Sequence, residues 1–459
     1  MYNRKQRVVL NGFFSDYADI ESGVPQGSVL GPLLFLVYVN DLQNNIKSKI
    51  IIFADDTMLF FVVTDPTTTA RELNLDLKTI NQWAYQWKMA FNPDPTKQAI
   101  EILFSCKKDK VDHPVLIFDR APVSRRTNHK HLGLLLQSNL SFEKHINEKI
   151  IIAKKNIGII RHLRNFLPFK TLNQMYKTLV RPHFDYCDVI YHIPSIFNLP
   201  PLGLSLHSLM EQIEKIQYQA ALAITGTWQG SNRSKLYEEL GWETLSDRRM
   251  CNRLIQFHKI IAGATPMYLR DNLPPSRRNM ITLPNVFQEF RCRTNRYFNS
   301  FFPNATSNWN KIISNFEHLP TLDEFKNHLN LLFRPRVKST FGVHDPLYLR
   351  YIFQLRVGLS PLKSHKKNHH FADTNSDLCS CSQSIEDNKH FLLECNSFVP
   401  HRALMLNSVN EILRKNNLTL VEHYEIILLY GHSSLSFLDN KNILLATLKF
   451  IKSTNRFSN

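Results

Sequence analysis

The sequence predicts an α+β protein, and three observations support this fold class. Apolar residues make up 43% and charged residues 21% of the 459-residue chain, as in ordinary globular proteins. The first hundred residues alternate short β-rich runs with one apolar and one amphipathic segment. After about His145 the apolar spacing becomes helical. We therefore expect a sheet covered on one side by helices, followed by a mainly helical region.

The first elements are a hairpin, a loop and a helix. Residues 6–11 have strand character, Asn11-Gly12 is a strong hairpin signal, and residues 19–24 are the candidate return strand. The glycine-containing loop 23–27 then opens onto the apolar run 29–42. We predict that this run forms a buried helix ending near Asn40-Asp41.

Two adjacent carboxylates stand out in the next segment. Residues 49–53 and 57–63 are apolar and β-rich, so Ala54-Asp55-Asp56 falls where a hairpin turn belongs. Carboxylates held this close both stay ionised when a cation neutralises them. Mg²⁺ prefers such oxygen ligands. An isolated Asp-Asp pair in a turn is, however, more often structural.

Further helices and one strand follow from the apolar spacing. Leu73, Leu77, Ile80, Trp83 and Trp87 lie on one helical face, and residues 98–104 alternate as a strand. Helices are also predicted at residues 146–167, at 171–186 with a kink at Arg181-Pro182, and at 209–224. The polar, His/Lys-rich residues 364–377 have the composition of a linker.

The net charge of +17 is concentrated in one stretch. Residues 107–183 contain 16 Lys or Arg and 5 Asp or Glu, a net charge of +11. A localised basic surface favours a polyanionic partner, most commonly nucleic acid. The alternative is a solvated face that serves only solubility.

The seven cysteines and the apolar runs limit the cellular setting. Four cysteines are isolated in the sequence, and we expect reduced thiols without disulfides. The longest apolar run, residues 29–39, has about half the length of a bilayer span. We therefore expect no membrane partner.

A Cys/His cluster lies near the C-terminal end. Cys379, Cys381, His390 and Cys395 place three thiols and one imidazole within 17 residues, a donor set that suits tetrahedral Zn²⁺. The alternative is reduced thiols in a small helical domain with an exposed His390. If the cluster binds zinc, the neighbouring residues 362–370 are a candidate RNA-binding arm.

Five ordered blocks resemble one family. Phe53-Ala-Asp-Asp56 resembles the x-x-Asp-Asp box of reverse transcriptases, in the form common among non-LTR retrotransposons. The other blocks are the loop and helix at residues 22–35, Asn40-Asp41-Leu42, residues 87–97, and residues 131–136 with Ser141-Phe142. The last of these is similar to the primer-grip hairpin and the entry to the thumb.

The resemblance implies an architecture. Residues 1–140 would be part of a right-hand polymerase palm and residues 141–232 a helical thumb. Residues 233–363 would be a helical extension, and residues 364–459 a zinc-knuckle-like module with C-terminal helices. The basic residues Lys154, Lys155, Arg161 and Arg164 of the thumb would contact nucleic-acid phosphates.

The resemblance also implies an activity and its residues. The family is an RNA-directed DNA polymerase that uses an RNA template, a DNA primer, deoxynucleoside triphosphates and Mg²⁺ or Mn²⁺. Asp55 and Asp56 would be the catalytic metal ligands. The template- and nucleotide-binding residues would be Gly23, Val24, Pro25, Gln26, Gly27, Phe53 and Lys97. The expected locations are a cytoplasmic ribonucleoprotein and the nucleus.

One expectation concerns the first catalytic aspartate of the family. It lies on a strand upstream of the hairpin represented here by residues 4–11, and Asp16 and Asp19 are not substitutes for it. We therefore expect the chain alone not to extend a primer. Two alternatives are a catalytically dead nucleic-acid-binding relic, and a pseudogene product without a stable fold.

Overall fold

The computed structural model describes residues 4–20, 23–24, 27–92, 99–105, 112–192, 204–276, 285–333, 340, 342–343, 345–418 and 423–457. The chain divides into two compact units, Met1–Ser141 and Phe142–Asn459. The first mixes strands and helices, and the named elements described in the second are helices. The α+β class is therefore confirmed.

In its described residues, the first unit contains short strands and two helices. Its strands are β1 (Arg4–Gln6), β2 (Val9–Leu10), β3 (Phe13–Phe14), β4 (Ala18–Ile20), β5 (Lys49–Phe53), β6 (Asp56–Phe60), β7 (Ile100–Glu101), β8 (Ile117–Phe118), β9 (Ala121–Pro122), β10 (Ser124–Arg125), β11 (Asn128–His131) and β12 (Leu134–Gln137). Its helices are α1 (Leu30–Val39) and α2 (Pro66–Gln86), and a 3-10 turn covers Asn40–Gln43.

The core of the first unit lies on one face of α2. Leu77, Ile80 and Trp83 are buried there at the predicted helical spacing, together with Val39 and Phe118. The helix begins where the Asp65 side chain accepts a hydrogen bond from the backbone N–H of Thr68, which satisfies one free donor of the first turn. The predicted amphipathic helix is thus confirmed.

The prediction of a single half-covered sheet is wrong for the described strands. Each strand pairs with one other, giving separate two-stranded ladders such as β2 with β3, β5 with β6 and β11 with β12. The predicted Asn11-Gly12 turn does join β2 to β3. The strand at residues 98–104 shortens to β7, which pairs in parallel with β10. Most of these strands have only two to five residues, too few to present a broad face.

Helix α1 is present, but its predicted burial is wrong. Leu33, Leu36 and Val37 are 56%, 53% and 67% exposed. The helix is apolar on all sides, so one packing partner can cover only one face. That covered face includes Gly31 and Val39. The other face is open to solvent among the described residues of this unit.

The second unit is built from helices. They are α3 (Glu143–Leu163), α4 (Phe169–Met175), α5 (Pro182–Asp185), α6 (Asp188–Tyr191), α7 (Leu204–Thr225), α8 (Arg233–Leu240), α9 (Leu245–Ile261), α10 (Met267–Arg270), α11 (Asn295–Phe298), α12 (Phe301–Ile313), α13 (Leu322–Phe333), α14 (Pro346–Val357), α15 (Lys363–Asn368), α16 (Val399–Lys415), α17 (Tyr424–Tyr430) and α18 (Phe437–Ser453). Two π-helical segments cover Tyr176–Val180 and His390–Glu394, and a 3-10 turn covers Asn396–Phe398.

The kink predicted at Arg181-Pro182 is confirmed. Pro182 has no N–H to continue the helical pattern. The chain responds with a π-turn, in which the backbone N–H of Arg181 donates to the carbonyl of Tyr176 at 3.0 Å. Helix α5 then begins at Pro182.

Hydrophobic clusters stabilise the second unit, and two of them can be traced through the residues that the structure describes. The fully buried Trp309 lies in one of them, between α9, α12 and α13. The other joins α14 to α16, α17 and α18 through side chains such as Phe353, Phe391 and Phe450. Residues 343–362 and 391–457 therefore share one core.

The prediction of a linker at residues 364–377 is wrong. Residues 363–368 form α15, and the buried Ser364 hydroxyl donates to the carbonyl of Glu386 at 2.8 Å. Lys366 pairs with Asp373 at 2.7 Å. The polar composition was misleading because several of these side chains bond to one another and to the neighbouring turn.

Two findings bear on the cellular setting. Within the described residues, no helix combines the length and apolarity needed to cross a bilayer. The six cysteines that the structure describes are all free of disulfides.

Candidate functional site

The acidic pair lies at the tip of a regular hairpin. Strands β5 and β6 pair from Lys49↔Phe60 to Phe53↔Asp56, which leaves Ala54-Asp55 as a two-residue turn. Ala54 has a φ of 51°, and both aspartates are exposed. Directly opposed residues share a face of the ladder, so the 62%-exposed Phe53 lies beside Asp56. The predicted hairpin turn is confirmed.

The inward face of the hairpin explains its position. Ile50, Ile52 and Leu59 pack against the core of the first unit, while Ile51 and Phe53 point away from it. This alternation is the period-two pattern of a half-buried strand. It projects the turn and its carboxylates into solvent while the strands stay anchored.

Helix α2 fixes the start of β5 through Asp76. This carboxylate is 2% exposed and accepts hydrogen bonds from the backbone N–H groups of Lys47 at 3.0 Å and Ser48 at 2.8 Å. Trp83 of the same helix donates its indole N–H to Asp41 at 2.8 Å. One helix thus holds both the 3-10 turn after α1 and the acidic hairpin. Sequence reasoning missed the role of Asp76.

A histidine lies close to the acidic hairpin. Burial lowers the pKa of His129 in β11, and the positive charges of His131 and Arg126 lower it further. The carboxylate of Asp56 acts in the opposite direction on that pKa. Strands β11 and β12 form the hairpin predicted around residues 131–136, with Leu132-Gly133 as its turn. No spacing in the sequence indicated that this hairpin would lie near Asp56.

The glycine loop is described only in part. Gly23 and Gly27 both have a φ of 81°, a left-handed conformation that favours glycine. The guanidinium of Arg4 donates to the carbonyl of Gly23 at 2.6 Å. Val24 is exposed. Pro25, Gln26 and Lys97 lie outside the described residues.

The acidic pair offers carboxylate oxygens but no complete ligand shell of its own. Among the described residues, the one group of three or more side chains able to hold a metal is elsewhere, at Cys379. The pair therefore fits a hard divalent cation that takes its other ligands from water and phosphate, as Mg²⁺ does at phosphoryl-transfer sites.

The predicted Cys/His cluster comes together in space. The ligand atoms of Cys379, Cys381, His390 and Cys395 all lie within 4.8 Å of one another. Cys379 Sγ is 3.6 Å from Cys395 Sγ, and Cys381 Sγ is 3.3 Å from His390 Nε2. Ligands of one tetrahedral zinc ion lie about 3.5–3.8 Å apart, so the cluster has the size and donor set for Zn²⁺. His390 is 2% exposed, so the interpretation of it as an exposed side chain is wrong.

Local backbone geometry creates the cluster. The N–H of Cys395 donates to the carbonyl of His390 at 2.7 Å, a π-turn that places the two ligands on the same side. Asp387 fixes His390 by accepting its backbone N–H at 2.8 Å. The buried Arg402 donates to the carbonyls of Leu392 and Cys395.

Electrostatics within the cluster differ from thiol to thiol. Burial raises the pKa of the Cys379 thiol, whereas the backbone N–H of Gln383 lowers the pKa of the Cys381 thiol. The ring Nδ1 of His390 lies 3.8 Å from the carboxylate of Glu394. A carboxylate behind a histidine ligand can orient its ring. Sequence reasoning missed Arg402 and Glu394.

The candidate arm at residues 362–370 belongs to the folded module. Lys363 Nζ donates to the carbonyl of Leu378 at 3.0 Å, and Lys367 pairs with Asp377 at 3.0 Å. Leu362 is fully buried. These lysines hold α15 against the Cys/His turn instead of extending as a free basic segment.

Comparison with known proteins gives the family. A family model described as reverse transcriptase (RNA-dependent DNA polymerase) matches residues 10–134. That segment contains the glycine loop, the acidic hairpin and Asp76. A probable RNA-directed DNA polymerase from transposon X-element of Drosophila melanogaster is 27% identical over 292 residues. Residues 10–134 match a reverse transcriptase domain, and the chain is similar to RNA-directed DNA polymerases of non-LTR transposons.

Two further relatives of the reverse transcriptase domain agree with this. An RNA-directed DNA polymerase from mobile element jockey of Drosophila funebris is 26% identical over 221 residues, covering 46% of the chain and 24% of that protein. A probable RNA-directed DNA polymerase from transposon BS of Drosophila melanogaster is 26% identical over 278 residues, covering 57% and 29%. The X-element match covers 60% of the chain and 30% of its relative. The chain thus spans a third or less of these curated relatives.

The reverse transcriptase match places the two candidate sites differently. Asp55, Asp56, Phe53 and the glycine loop lie inside the matched segment, residues 10–134. The Cys/His cluster lies outside the matched segment. Its zinc assignment depends on its own geometry.

Proposed function

We propose that this chain takes part in RNA-directed DNA synthesis, with Asp55 and Asp56 at the site of nucleotidyl transfer. The observation that carries the proposal is the exposed, anchored hairpin tip inside the segment that matches reverse transcriptases. The substrates are deoxynucleoside triphosphates, a DNA primer and an RNA template. A target-site 3′ hydroxyl at a DNA nick is the proposed primer.

The two carboxylates bind the divalent cation. Mg²⁺ or Mn²⁺, when bound, activates the primer hydroxyl and stabilises charge on the transferred phosphate. Asp55 is the main ligand because it lies in the turn itself, and Asp56 supports it from the first position of β6. Phe53, on the same face as Asp56, packs near the primer terminus.

The neighbouring loop positions the nucleic acid. Gly23 and Gly27 allow the backbone to approach a base or phosphate without a Cβ. A Cβ built on either glycine meets no atom within 4 Å, so the space above both is open for such a ligand. Pro25 stiffens this loop, Gln26 hydrogen-bonds a nucleotide edge, and Lys97 contacts nucleotide phosphates.

The proposed architecture follows the polymerase hand. Residues 1–140 form part of the palm, 141–232 the thumb, 233–363 a helical extension, and 364–459 a zinc-knuckle-like module with C-terminal helices. The basic helix α3 contacts nucleic-acid phosphates through Lys154, Lys155, Arg161 and Arg164. Such contacts are independent of sequence and weaken with salt.

The Cys/His cluster is proposed as a structural zinc site. Cys379, Cys381, His390 and Cys395 supply a closed set of four ligands, as in sites that stabilise a fold rather than catalyse. The buried ligands and the supporting Arg402 agree with that role. The protein is proposed to act in a cytoplasmic ribonucleoprotein and in the nucleus, where template and target DNA are found.

A second candidate is a nucleic-acid-binding relic without catalysis. The observation that favours it is the absence of a third carboxylate beside Asp55 and Asp56 among the described residues. This candidate predicts salt-sensitive binding of nucleic acid that is unaffected by Asp55→Ala.

One experiment separates the two candidates. Mn²⁺ binding and incorporation of labelled deoxynucleotides on an RNA template with a DNA primer are measured for the 459-residue chain and its variants. Loss of Mn²⁺ binding in the Asp55→Asn/Asp56→Asn double variant supports the polymerase site, and pair-dependent incorporation establishes catalysis by this chain. The exposed Asp16→Asn is the control. Mn²⁺ binding that is the same in all three proteins, with salt-sensitive nucleic-acid binding retained, supports the relic.

A further inference from the structure

A basic groove runs between helices α3 and α7 in the second unit. It encloses a cavity of about 310 Å³ that is open on one side. Two cationic side chains face it, and none of the lining side chains is acidic. The lining residues are Lys154, Ile157, Gly158, Arg161, Gln219, Leu222 and Gln229.

Two further arginines meet beside this groove. Gly226 follows α7 with a φ of 68°, and a Cβ built on it would lie 3.0 Å from Arg350 Cβ and 3.6 Å from Arg164 Nε. The absence of a side chain at Gly226 thus lets α3 and α14 bring both arginines to the end of α7. Burial lowers the pKa of Arg164, and the charges of Arg350 and Arg161 lower it further. The Arg164 guanidinium is therefore repelled by two other guanidinium groups.

Arg164 and Arg350 differ from three partly buried arginines of the same unit that have carboxylate partners, although Arg249 and Arg253 also keep Nε atoms without a hydrogen-bond partner. Arg356 pairs with Glu239, Arg456 with Glu386 and Arg248 with Asp185. In contrast, the buried Nε atoms of Arg164 and Arg350 have no hydrogen-bond acceptor among the described residues, although Nη2 of Arg350 donates to the hydroxyl of Tyr351 at 2.8 Å. Desolvated cationic donors without an acceptor are unfavourable, so an anion is the partner that this arrangement lacks.

An aromatic pair lies next to the groove in the sequence. Gln229 lines the groove, and the preceding residue, the half-buried Trp228, contacts Phe371 with ring centroids 5.5 Å apart. Gln219 and Gln229 also line the groove, and each side-chain amide has both hydrogen-bond donors and an acceptor. Basic grooves with adjacent aromatic rings are typical of sites where the strand backbone binds the cations and a base stacks on a ring.

We propose that the α3–α7 groove is a binding site for single-stranded nucleic acid, with Arg161, Arg164 and Arg350 on its phosphates and Trp228 as a stacking surface. This inference rests on the proposed nucleic-acid function and adds the form of the ligand. It is separate from the acidic hairpin, which lies in the other compact unit.

The size of the groove favours one strand over a duplex. A cavity of about 310 Å³ is at the lower end of small-ligand pockets and can enclose part of a nucleotide chain. A duplex keeps its bases stacked inside and presents only its convex backbone, so it cannot place a base on Trp228. A single strand can fill the groove and stack at the same time.

Gly158 offers a direct steric test. It lies within α3 on the groove wall, and a Cβ built there meets nothing within 4 Å. Gly158→Ala therefore fits without clash and raises the thermal midpoint, since alanine favours helix. Gly158→Leu also fits the folded helix but fills the groove, so it weakens binding without unfolding the protein.

Binding of the full chain is measured by fluorescence anisotropy at several salt concentrations. The probes are single-stranded RNA, single-stranded DNA of the same sequence and the corresponding duplex, each of about ten nucleotides or base pairs. Tighter binding of the single strands than of the duplex is expected. Arg161→Leu/Arg164→Leu is expected to weaken single-strand binding about tenfold or more and to reduce the salt slope by about 0.7 for each phosphate that no longer meets a cation. Comparison of the affinities for single-stranded RNA and single-stranded DNA shows which nucleic acid the groove prefers.

Two controls separate binding from folding. Lys311→Leu removes a cation from the exposed face of α12, outside the groove. It should lower the binding constant by no more than the loss of one charge does. Trp228→Ala should weaken single-strand binding about tenfold, and Trp228→Phe should restore it. The Arg164→Leu variant should keep or raise the thermal midpoint because it relieves repulsion, whereas a structural role for Arg164 would lower it.

Two results would overturn the inference. One is equal weakening of duplex and single-strand binding in the arginine and Gly158→Leu variants. That result would make the groove part of a general duplex surface and leave the proposed polymerase function intact. The other is single-strand binding that none of these variants changes. A failure of the polymerase proposal would instead appear in the Mn²⁺-binding measurement, as binding that does not depend on Asp55 and Asp56.

Discussion

The Arg356 guanidinium and the Glu239 carboxylate form an ion pair at 2.8 Å, with side chains that are 0% and 1% exposed. The same guanidinium donates from Nε to the carbonyl of Leu429 at 2.9 Å and lies 4.7 Å from the ring centroid of Tyr430. The pair joins α14 to α8, two helices far apart in the sequence. It therefore also holds α14, which carries Arg350, in place.

We predict that Arg356→Met destabilises the second unit strongly. The substitution removes the ion pair of the buried Glu239 carboxylate, at a cost of about 3–5 kcal/mol in the free energy of unfolding. Urea denaturation of the full chain measures this. The control is Arg233→Met, which breaks the exposed Arg233–Glu211 pair at 3.0 Å and should cost less than about 1 kcal/mol. Equal effects of the two substitutions would contradict the prediction.

Asp76→Ala should loosen the acidic hairpin. It removes the acceptor for two backbone N–H groups, of which the Ser48 group is buried, and we expect a loss of about 1–3 kcal/mol for that buried donor. Faster amide hydrogen exchange in β5 and β6, together with weaker Mn²⁺ binding, should accompany it. The control is Asp19→Ala, which removes only the exposed contact with Lys5 at 3.8 Å. Unchanged exchange in β5 of the Asp76→Ala variant would refute this role of Asp76.

The Cys/His cluster should hold one zinc ion per chain. Cys395→Ser removes a fully buried ligand, so it should lose the metal and lower the thermal midpoint. A chelator should lower the midpoint of the native chain in the same way. Cys292→Ser, outside the cluster, should retain the ion and the midpoint. Elemental analysis of protein purified under reducing conditions measures the zinc content per chain. If the Cys395→Ser variant still holds one zinc ion, the assigned ligand set is wrong.

Glu386 should make stability depend on pH in the acid range. Burial alone would raise its pKa, but the hydrogen bonds and charge of Arg456, with Oε2 at 2.7 Å, outweigh burial, and the folded-state pKa lies below the usual value. A lowered pKa means that this contribution is present above the unfolded value of about 4.3 and is lost as pH falls through the folded value. The gap in unfolding free energy between native protein and Glu386→Gln should therefore shrink below about pH 4.3. Glu411→Gln, on the exposed face of α16, should show no such convergence.

The sequence was most informative where a local pattern determines a local structure. The Asn11-Gly12 turn, the α2 face and the break at Pro182 each depend on neighbouring residues, and all three predictions are confirmed. The Asp55–Asp56 hairpin and its family could be predicted for the same reason, because its blocks follow one another within a short stretch.

Predictions failed where burial depends on distant partners. The apolar composition of α1 suggested a buried helix, but composition does not specify which faces are covered. The polar residues 364–377 suggested a linker, although their hydrogen bonds to Asp377 and Glu386 fold them into the module. Contacts such as those of Asp76 with Ser48, or of Gly226 with Arg164 and Arg350, had no sequence signal at all.

The sequence by itself determined the fold class, the acidic turn, the four cluster ligands and the reverse transcriptase resemblance, since each depends on residue type at short spacing. Only the tertiary structure decided that the four ligands converge within 4.8 Å, that Asp76 anchors the hairpin, and that three arginines gather by the α3–α7 groove. The physical reason is that packing brings together side chains that are not neighbours in the sequence. Their shared burial and charge exist only once the chain has folded.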